Sequence, residues 1–213
     1  MPRAKQRTPE LRDRVLRIAV GLLASEGAAQ LTTRKVAEQA QTSTPAVYEL
    51  FGDKAGLVRE IFFEGFRMLR RRFDGLADSD DPRADLVRVL QAFRAFIRAN
   101  PVLAELMFLR RFTDFDPGPD DAEAGVAVRT FIVGQVRRCI DAGELAGDAT
   151  DIAHALVSLA QGLAATEIAG WLGSSKASVE RRWNLAIAAM LDGFGAPERQ
   201  RSRTARRSTA AST

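Results

Sequence analysis

Apolar residues along this chain recur at spacings of three, four and seven, and almost nowhere alternate as a strand requires. Leu11, Val15, Ile18, Ala19, Leu22 and Leu23 share one face of a helix over 9–26. Thr8 supplies its N-cap, Pro9 opens the first turn, where a missing N–H leaves no gap, and Gly27 ends it. Two short helices follow. One runs from Thr33 to Ala40, capped by Thr32, with Val36 and Ala37 inward; the other runs from Pro45 to Leu50, capped by Thr44. Gln41-Thr42-Ser43 breaks the chain between them. A long helix from the cap Asp53 to about Ala77 turns Leu57, Ile61, Phe62, Phe66 and Leu69 inward. Asp81-Pro82 opens the next helix. Asn100-Pro101 separates it from the sixth, because the residue before proline resists the helical conformation. Residues 113–119 (TDFDPGP) read as a loop, and a helix from about Asp121 to Ala142 ends at Gly143. Asp148 caps a helix reaching about Leu172, Gly173-Ser174-Ser175 turns, and a last helix runs to about Asp192. The expected fold is all-α, with nine helices and no internal repeat.

Composition narrows the function classes. With 46% hydrophobic and 27% charged residues the chain can bury a core and is expected to be ordered. No apolar run approaches the ~20 residues of a membrane span, and the basic N-terminus lacks the apolar segment of a signal peptide. One cysteine, Cys139, cannot form an internal disulfide, which points to a reducing cytoplasm. The net charge of +4 hides a polarity: residues 1–60 carry ten Lys/Arg against seven Asp/Glu, residues 61–196 sixteen against nineteen, and 197–213 five against one. Both ends are basic, which suits a polyanion partner. From Gly195 onward the tail has no apolar face and reads as disordered. No catalytic constellation is visible. One His and one Cys supply no usual zinc set, and there is no phosphate-loop or dinucleotide fingerprint, so the expectation is no enzyme, no metal and no cofactor. Gly52-Asp53-Lys54-Ala55-Gly56 lacks the spacing of a phosphate loop, and Ser174 and Ser175 read as turn and cap residues.

The informative stretch is 31–58, LTTRKVAEQAQTSTPAVYELFGDKAGLV. Two short helices joined by a three- or four-residue turn have the geometry of a helix-turn-helix, whose second helix fits the major groove of B-DNA. Val47 with Leu50 or Phe51 can face the core, leaving Thr44, Pro45, Ala46, Tyr48 and Glu49 for the duplex. Two packed surface helices without a DNA role are the plainer alternative. The pattern Thr32-Thr33-Arg34-Lys35-Val36-Ala37, then Thr44-Pro45-Ala46-Val47-Tyr48 with Phe51, then Asp53-Lys54 with Leu57, resembles the DNA-binding domain of the tetracycline-repressor-like (TetR/AcrR) family. The resemblance covers residues 8–60 closely and implies a double-stranded DNA operator as partner. By that resemblance Thr33 and Arg34 match phosphate- and base-contacting positions. Thr44, Pro45 and Ala46 match base-facing ones, where the Pro45 ring and Ala46 methyl would meet thymine methyl groups. Tyr48 and Lys54 would hold phosphates, which position the protein without reading sequence. Leu50 departs from the family pattern, where His or Tyr is common, and removes one phosphate donor. Glu49 is open to two readings: accepting from a cytosine amino group, or turning toward Arg34. The arm Arg3, Lys5 and Arg7 is equally open, as a minor-groove or phosphate contact or as a solvated end.

Beyond residue 60 the resemblance carries general architecture. It implies a homodimer built on the last two helices, an unknown small-molecule effector and release of a repressor from DNA. The expected division is a DNA-binding domain over 1–58, a helical ligand-sensing and dimerisation domain over 59–195, and a disordered basic tail over 196–213. The candidate dimer stripe is Leu156, Leu159 and Leu163 with Trp183, Ile187 and Met190, although such stripes also suit a monomer's core. The candidate ligand pocket is Phe93, Phe96, Met107, Phe108, Phe112 and Phe131, with His154 as a polar contact. Ordinary core packing is the default reading of each of these.

Overall fold

The computed structural model describes residues 8–109 and 118–196. The arm Arg3, Lys5 and Arg7, the pocket candidate Phe112 and the tail 197–213 lie outside the described residues, as does nearly all of the 113–119 loop. Among the described residues are nine α-helices: α1 Pro9–Glu26, α2 Thr33–Gln39, α3 Thr44–Phe51, α4 Lys54–Asp74, α5 Pro82–Ala99, α6 Pro101–Phe108, α7 Val126–Asp141, α8 Ala149–Ile168 and α9 Lys176–Gly193. They contain no β-strand, only one isolated bridge between Leu145 and Gly195.

Three boundaries differ from the sequence expectation. Ser43, not Thr44, caps α3: its backbone is extended and its hydroxyl accepts from the Ala46 amide at 3.3 Å. Thr44 therefore enters the helix as its first residue. Residues 119–125 form a 3₁₀ segment rather than the start of α7. The Asp121 carboxylate, buried, binds the Gly118 amide at 2.9 Å and forks with Arg59 at 2.9 and 3.1 Å, which holds this segment out of α7. α8 ends at Ile168 rather than near Leu172. Gly170 adopts φ +77°, and the Trp171 and Gly170 amides reach back to the carbonyls of Thr166 and Glu167, a Schellman ending that apolar Trp171 and Leu172 disguised.

The chain divides into two compact units. The first lies within 1–68 and 100–125. Here α1 packs on α2 and α6, and α2 on α3, around Val15, Leu23, Val36, Val47, Leu57, Ile61, Leu103 and Leu106. The Gly65 backbone comes so close to Met107 that a Cβ would lie 2.5 Å from its sulfur. Arg12 spans the other side, its guanidinium 5.4 Å from the Phe51 ring centre and 2.8 Å from Glu60.

The second unit lies within 69–99 and 126–213. There α5, α7 and α8 pack on one another and α9 on α8, around Phe73, Leu86, Leu90, Phe93, Leu156 and Trp183. Two buried polar networks tie these helices. Arg94 on α5 forks onto Glu167 of α8 at 2.6 and 3.0 Å, reaches Glu180 of α9 at 2.9 Å and lies 4.6 Å over the Trp183 ring. Asp85, also buried, accepts from the Ser79 hydroxyl at 2.6 Å, the Ser79 amide at 2.8 Å and Arg138 of α7 at 2.9 Å, and pairs with Arg88. These bonds hold the carboxyl of Asp85 well below the usual carboxylate range, the Ser79 hydroxyl contributing most. Cys139 is buried, and desolvation pushes its thiol up to about 11.

Candidate nucleic-acid interface

The reading head begins with the turn that ends α2. The Thr42 amide bonds the Ala37 carbonyl at 2.9 Å and the Gln41 amide bonds the Glu38 carbonyl at 3.1 Å. This Schellman ending places Gln41 at φ +52°, a region that favours glycine. Thr42 buries its hydroxyl oxygen there without a partner. The turn then delivers α3 with Val47 and Phe51 buried against α2 and its remaining surface outward.

That outward surface holds the residues singled out from sequence. Arg34, Pro45, Tyr48 and Glu49 are exposed, and Thr33, Thr44, Ala46 and Lys54 are half-buried. Tyr48 is 44% exposed, unusual for a large aromatic side chain in a packed helix pair. The Thr33 hydroxyl donates to the Tyr48 phenolic oxygen at 3.2 Å, joining the first turn of α2 to the middle of α3. Lys35 points elsewhere. Its ammonium bonds Glu26 at 2.8 Å and Gln30 at 2.9 Å, anchoring α2 to the end of α1.

The corner between α3 and α4 is fixed by backbone. Gly52 at φ +80° closes α3 by donating to the Tyr48 carbonyl at 2.7 Å. Asp53 caps α4 through the Gly56 amide at 2.7 Å. Gly56 sits so tightly under α3 that a Cβ would lie 1.9 Å from the Phe51 carbonyl oxygen. The residue opening α4, Lys54, is thereby held three residues past the end of α3. Sequence reasoning missed Gly56, Ser43 and the Thr33–Tyr48 bond. Gly56 left a trace as the last member of a five-residue segment set aside for lacking phosphate-loop spacing, and Ser43 as the last residue of the break between the two short helices.

The described pocket candidates belong to both units. Phe93 and Phe96 are buried in the second unit, where Phe131 stacks on Phe73 at 5.2 Å with the Arg70 guanidinium 4.5 Å from its ring centre. Met107 is buried in the first unit, where Phe108 meets Phe66 edge-on at 5.9 Å. His154 faces outward from α8, its Nδ1 2.8 Å from the Thr150 carbonyl. A separate open cleft of about 370 Å³ is bordered by Arg98, Glu167, Ile168, Ser174, Lys176 and Val179. Leu156, Trp183 and Ile187 are buried in the unit's own core, and Leu159, Leu163 and Met190 lie half-buried at its margin. The exposed faces carry His154, Ser158, Gly162, Ala165 and Ala169 on α8, and Ala177, Arg181, Asn184, Leu185 and Ala188 on α9. Among the described residues no three His, Cys, Asp or Glu side chains gather to hold a metal, and no helix is long and apolar enough to cross a membrane.

Comparison with known proteins agrees with this geometry. Residues 15–61 match the model of bacterial regulatory proteins of the tetR family, and residues 86–190 match the tetracyclin repressor-like C-terminal domain. The nucleoid occlusion factor SlmA of Aliivibrio fischeri (strain MJ11) is 35% identical over 109 residues, which is 49% of this chain and 54% of that protein. The chain thus spans about half the length of the curated relatives it matches. A Rhodococcus sp. RHA1 protein of unknown function has the same fold, with TM-score 0.76 and 24% identity over 92% of this chain and 100% of that one. So does the Streptomyces coelicolor TetR family protein ActR, solved in complex with (S)-DNPA, with TM-score 0.59 and 18% identity over 86% of this chain and 96% of that one. An outward-facing helix-turn-helix in the matched N-terminal segment, followed by a matched tetracyclin repressor-like C-terminal domain, makes this chain a member of the tetR family, whose proteins are DNA-binding transcription regulators and not enzymes.

Proposed function

We propose that the protein is a cytoplasmic repressor that binds a pseudo-palindromic operator as a homodimer and is released by a small apolar or amphipathic effector. The observation that carries the DNA half is the division of α3: Val47 and Phe51 are buried while Pro45, Tyr48 and Glu49 stay open. In this reading Thr44, Pro45 and Ala46 meet base edges, as does Arg34, with Glu49 at the rim. Tyr48 and Lys54 hold phosphates on either side. Two heads would dock in successive major grooves about 34–36 Å apart.

The second copy is proposed to seat on the outward faces of α8 and α9. Ser158, Gly162 and Ala165 let a helix approach closely, and Leu185, 68% exposed, offers an apolar anchor. The effector reading is supported by the matched C-terminal domain and by the small molecule bound to ActR. Within the second unit Phe93, Phe96 and Phe131 are its candidate contacts. A DNA-organising protein without an effector is the second reading, favoured by the partial match to a nucleoid occlusion factor.

The test is selection of bound fragments from random duplex DNA, with the mass of the free protein measured in parallel and compounds then screened for release. A palindromic motif bound by a dimer and freed by a compound supports the proposal. A monomer with no preference over a competitor polyanion overturns it. A motif-binding dimer that no compound releases favours the second reading.

A further inference from the structure

We infer that Thr33 is a positioning residue for Tyr48, holding the phenolic proton outward as a donor, rather than an independent DNA contact. The inference rests on reading Tyr48 as a phosphate contact. A backbone phosphate oxygen only accepts, so Tyr48 serves there only if its single proton points away from the protein. The Thr33 hydroxyl donates to the Tyr48 oxygen at 3.2 Å. Two hydroxyls at this distance share one hydrogen bond that either can donate; with Thr33 as the donor, the bond occupies the acceptor side of the phenol and leaves its own O–H the solvent direction. Thr33 is itself well held. It opens α2 directly after the cap Thr32, whose hydroxyl takes the Lys35 amide at 3.2 Å, and its branched side chain has few rotamers. The relay then runs Thr33 O–H to Tyr48 O–H to phosphate, each bond polarising the next. It also sets the spacing of the head. Tyr48 is anchored to α2 as well as α3, so its reach toward the duplex depends on both helices.

The experiment is a double-mutant cycle on the full-length protein with Thr33→Val, Tyr48→Phe and the double variant. Binding is read by anisotropy on a labelled random-sequence duplex of about 30 base pairs at fixed ionic strength, with melting curves for each variant. Tyr48→Phe should weaken binding about three- to tenfold, the scale of one hydrogen bond. Thr33→Val should give a similar loss, and the double variant no more than Tyr48→Phe alone. Thr33→Ser, which keeps the hydroxyl, should stay within about twofold of the parent. Should Thr33→Val fail to fold, Thr33→Ala at this half-buried position takes its place in the cycle. Additive losses would show that Thr33 touches DNA by itself and overturn the inference. So would a loss with Tyr48→Phe and none with Thr33→Val. No loss with Tyr48→Phe would remove the phosphate contact on which the inference stands.

Discussion

Replacing Gly56 by alanine should damage both the fold and the reading head, although on an ordinary helix this exchange stabilises. The added Cβ would lie 1.9 Å from the Phe51 oxygen and 3.1 Å from its carbonyl carbon. A relaxed carbon–oxygen contact is about 3.3 Å, so the two backbones must separate by roughly 1.4 Å. No side chain can rotate aside, because the obstacle is main chain. Phe51 is buried, and its carbonyl already accepts the Asp53 amide at 3.1 Å. Overpacking of this kind costs about 1–3 kcal/mol, and the Asp53 cap on the Gly56 amide is worth roughly 1 more. The helix-propensity gain of alanine offsets about 1 kcal/mol. The net loss is about 1–3 kcal/mol, or roughly 2–12 °C in Tm for a chain of this size. Urea titration with an unchanged slope measures it, and duplex affinity should fall too, because Lys54 and Tyr48 sit on opposite sides of the opened corner. Gly21→Ala and Gly134→Ala are the controls. Their added Cβ atoms meet nothing within 4 Å, and both should gain about 0.5–1 kcal/mol. A Gly56→Ala protein as stable as its parent and equally tight on DNA would refute the reasoning.

Four further outcomes can be checked. Arg94→Met should cost about 3–5 kcal/mol by denaturant titration, because it strips the fork from Glu167 and leaves a largely buried carboxylate; a loss under 1 kcal/mol would show that Arg98, 3.1 Å away, suffices. Gln41→Gly should raise stability by a few tenths to about 1 kcal/mol while Gln41→Val lowers it by about 1–2, since φ +52° suits glycine and strains a branched residue; the same ranking by Tm checks it. Asp85 has a folded-state pKa depressed below its unfolded value, so the stability it contributes is full above about pH 4 and drains as pH falls further. Asp85→Asn should be less stable near neutrality and lose less on acidification, and parallel pH profiles would contradict that. Leu185→Asp should yield a folded monomer by sedimentation; a retained dimer would place the second copy elsewhere.

Much of the fold was legible because its signals are local. Thr8-Pro9, Thr32, Asp81-Pro82, Asn100-Pro101 and Asp148 marked helix starts through chemistry contained in a few residues. The head was legible for the same reason, with the polar and apolar positions of 44–51 separating as a single short helix requires. What failed depends on distant partners. Asp121 read as a helix start because nothing nearby announces Arg59, 62 residues earlier. Leu156, Trp183 and Ile187 looked available for a second copy because periodicity identifies an apolar stripe and not which neighbour covers it. Nothing in the pattern of α5 singles out Arg94. Its two carboxylate partners lie 73 and 86 residues further along the chain, and no pattern within α5 records them.

The tether between Lys35 and the end of α1 bears on how the protein would respond to ionic strength. A cation that meets a phosphate frees about 0.9 condensed counterion, and that release makes binding fall with added salt. Lys35 already has Glu26 as its counterion inside the protein, so it arrives at the duplex neutralised and liberates little. The slope of log affinity against log salt should therefore be shallower than the number of lysines and arginines near the head suggests, and cutting the tether with Glu26→Gln should steepen it.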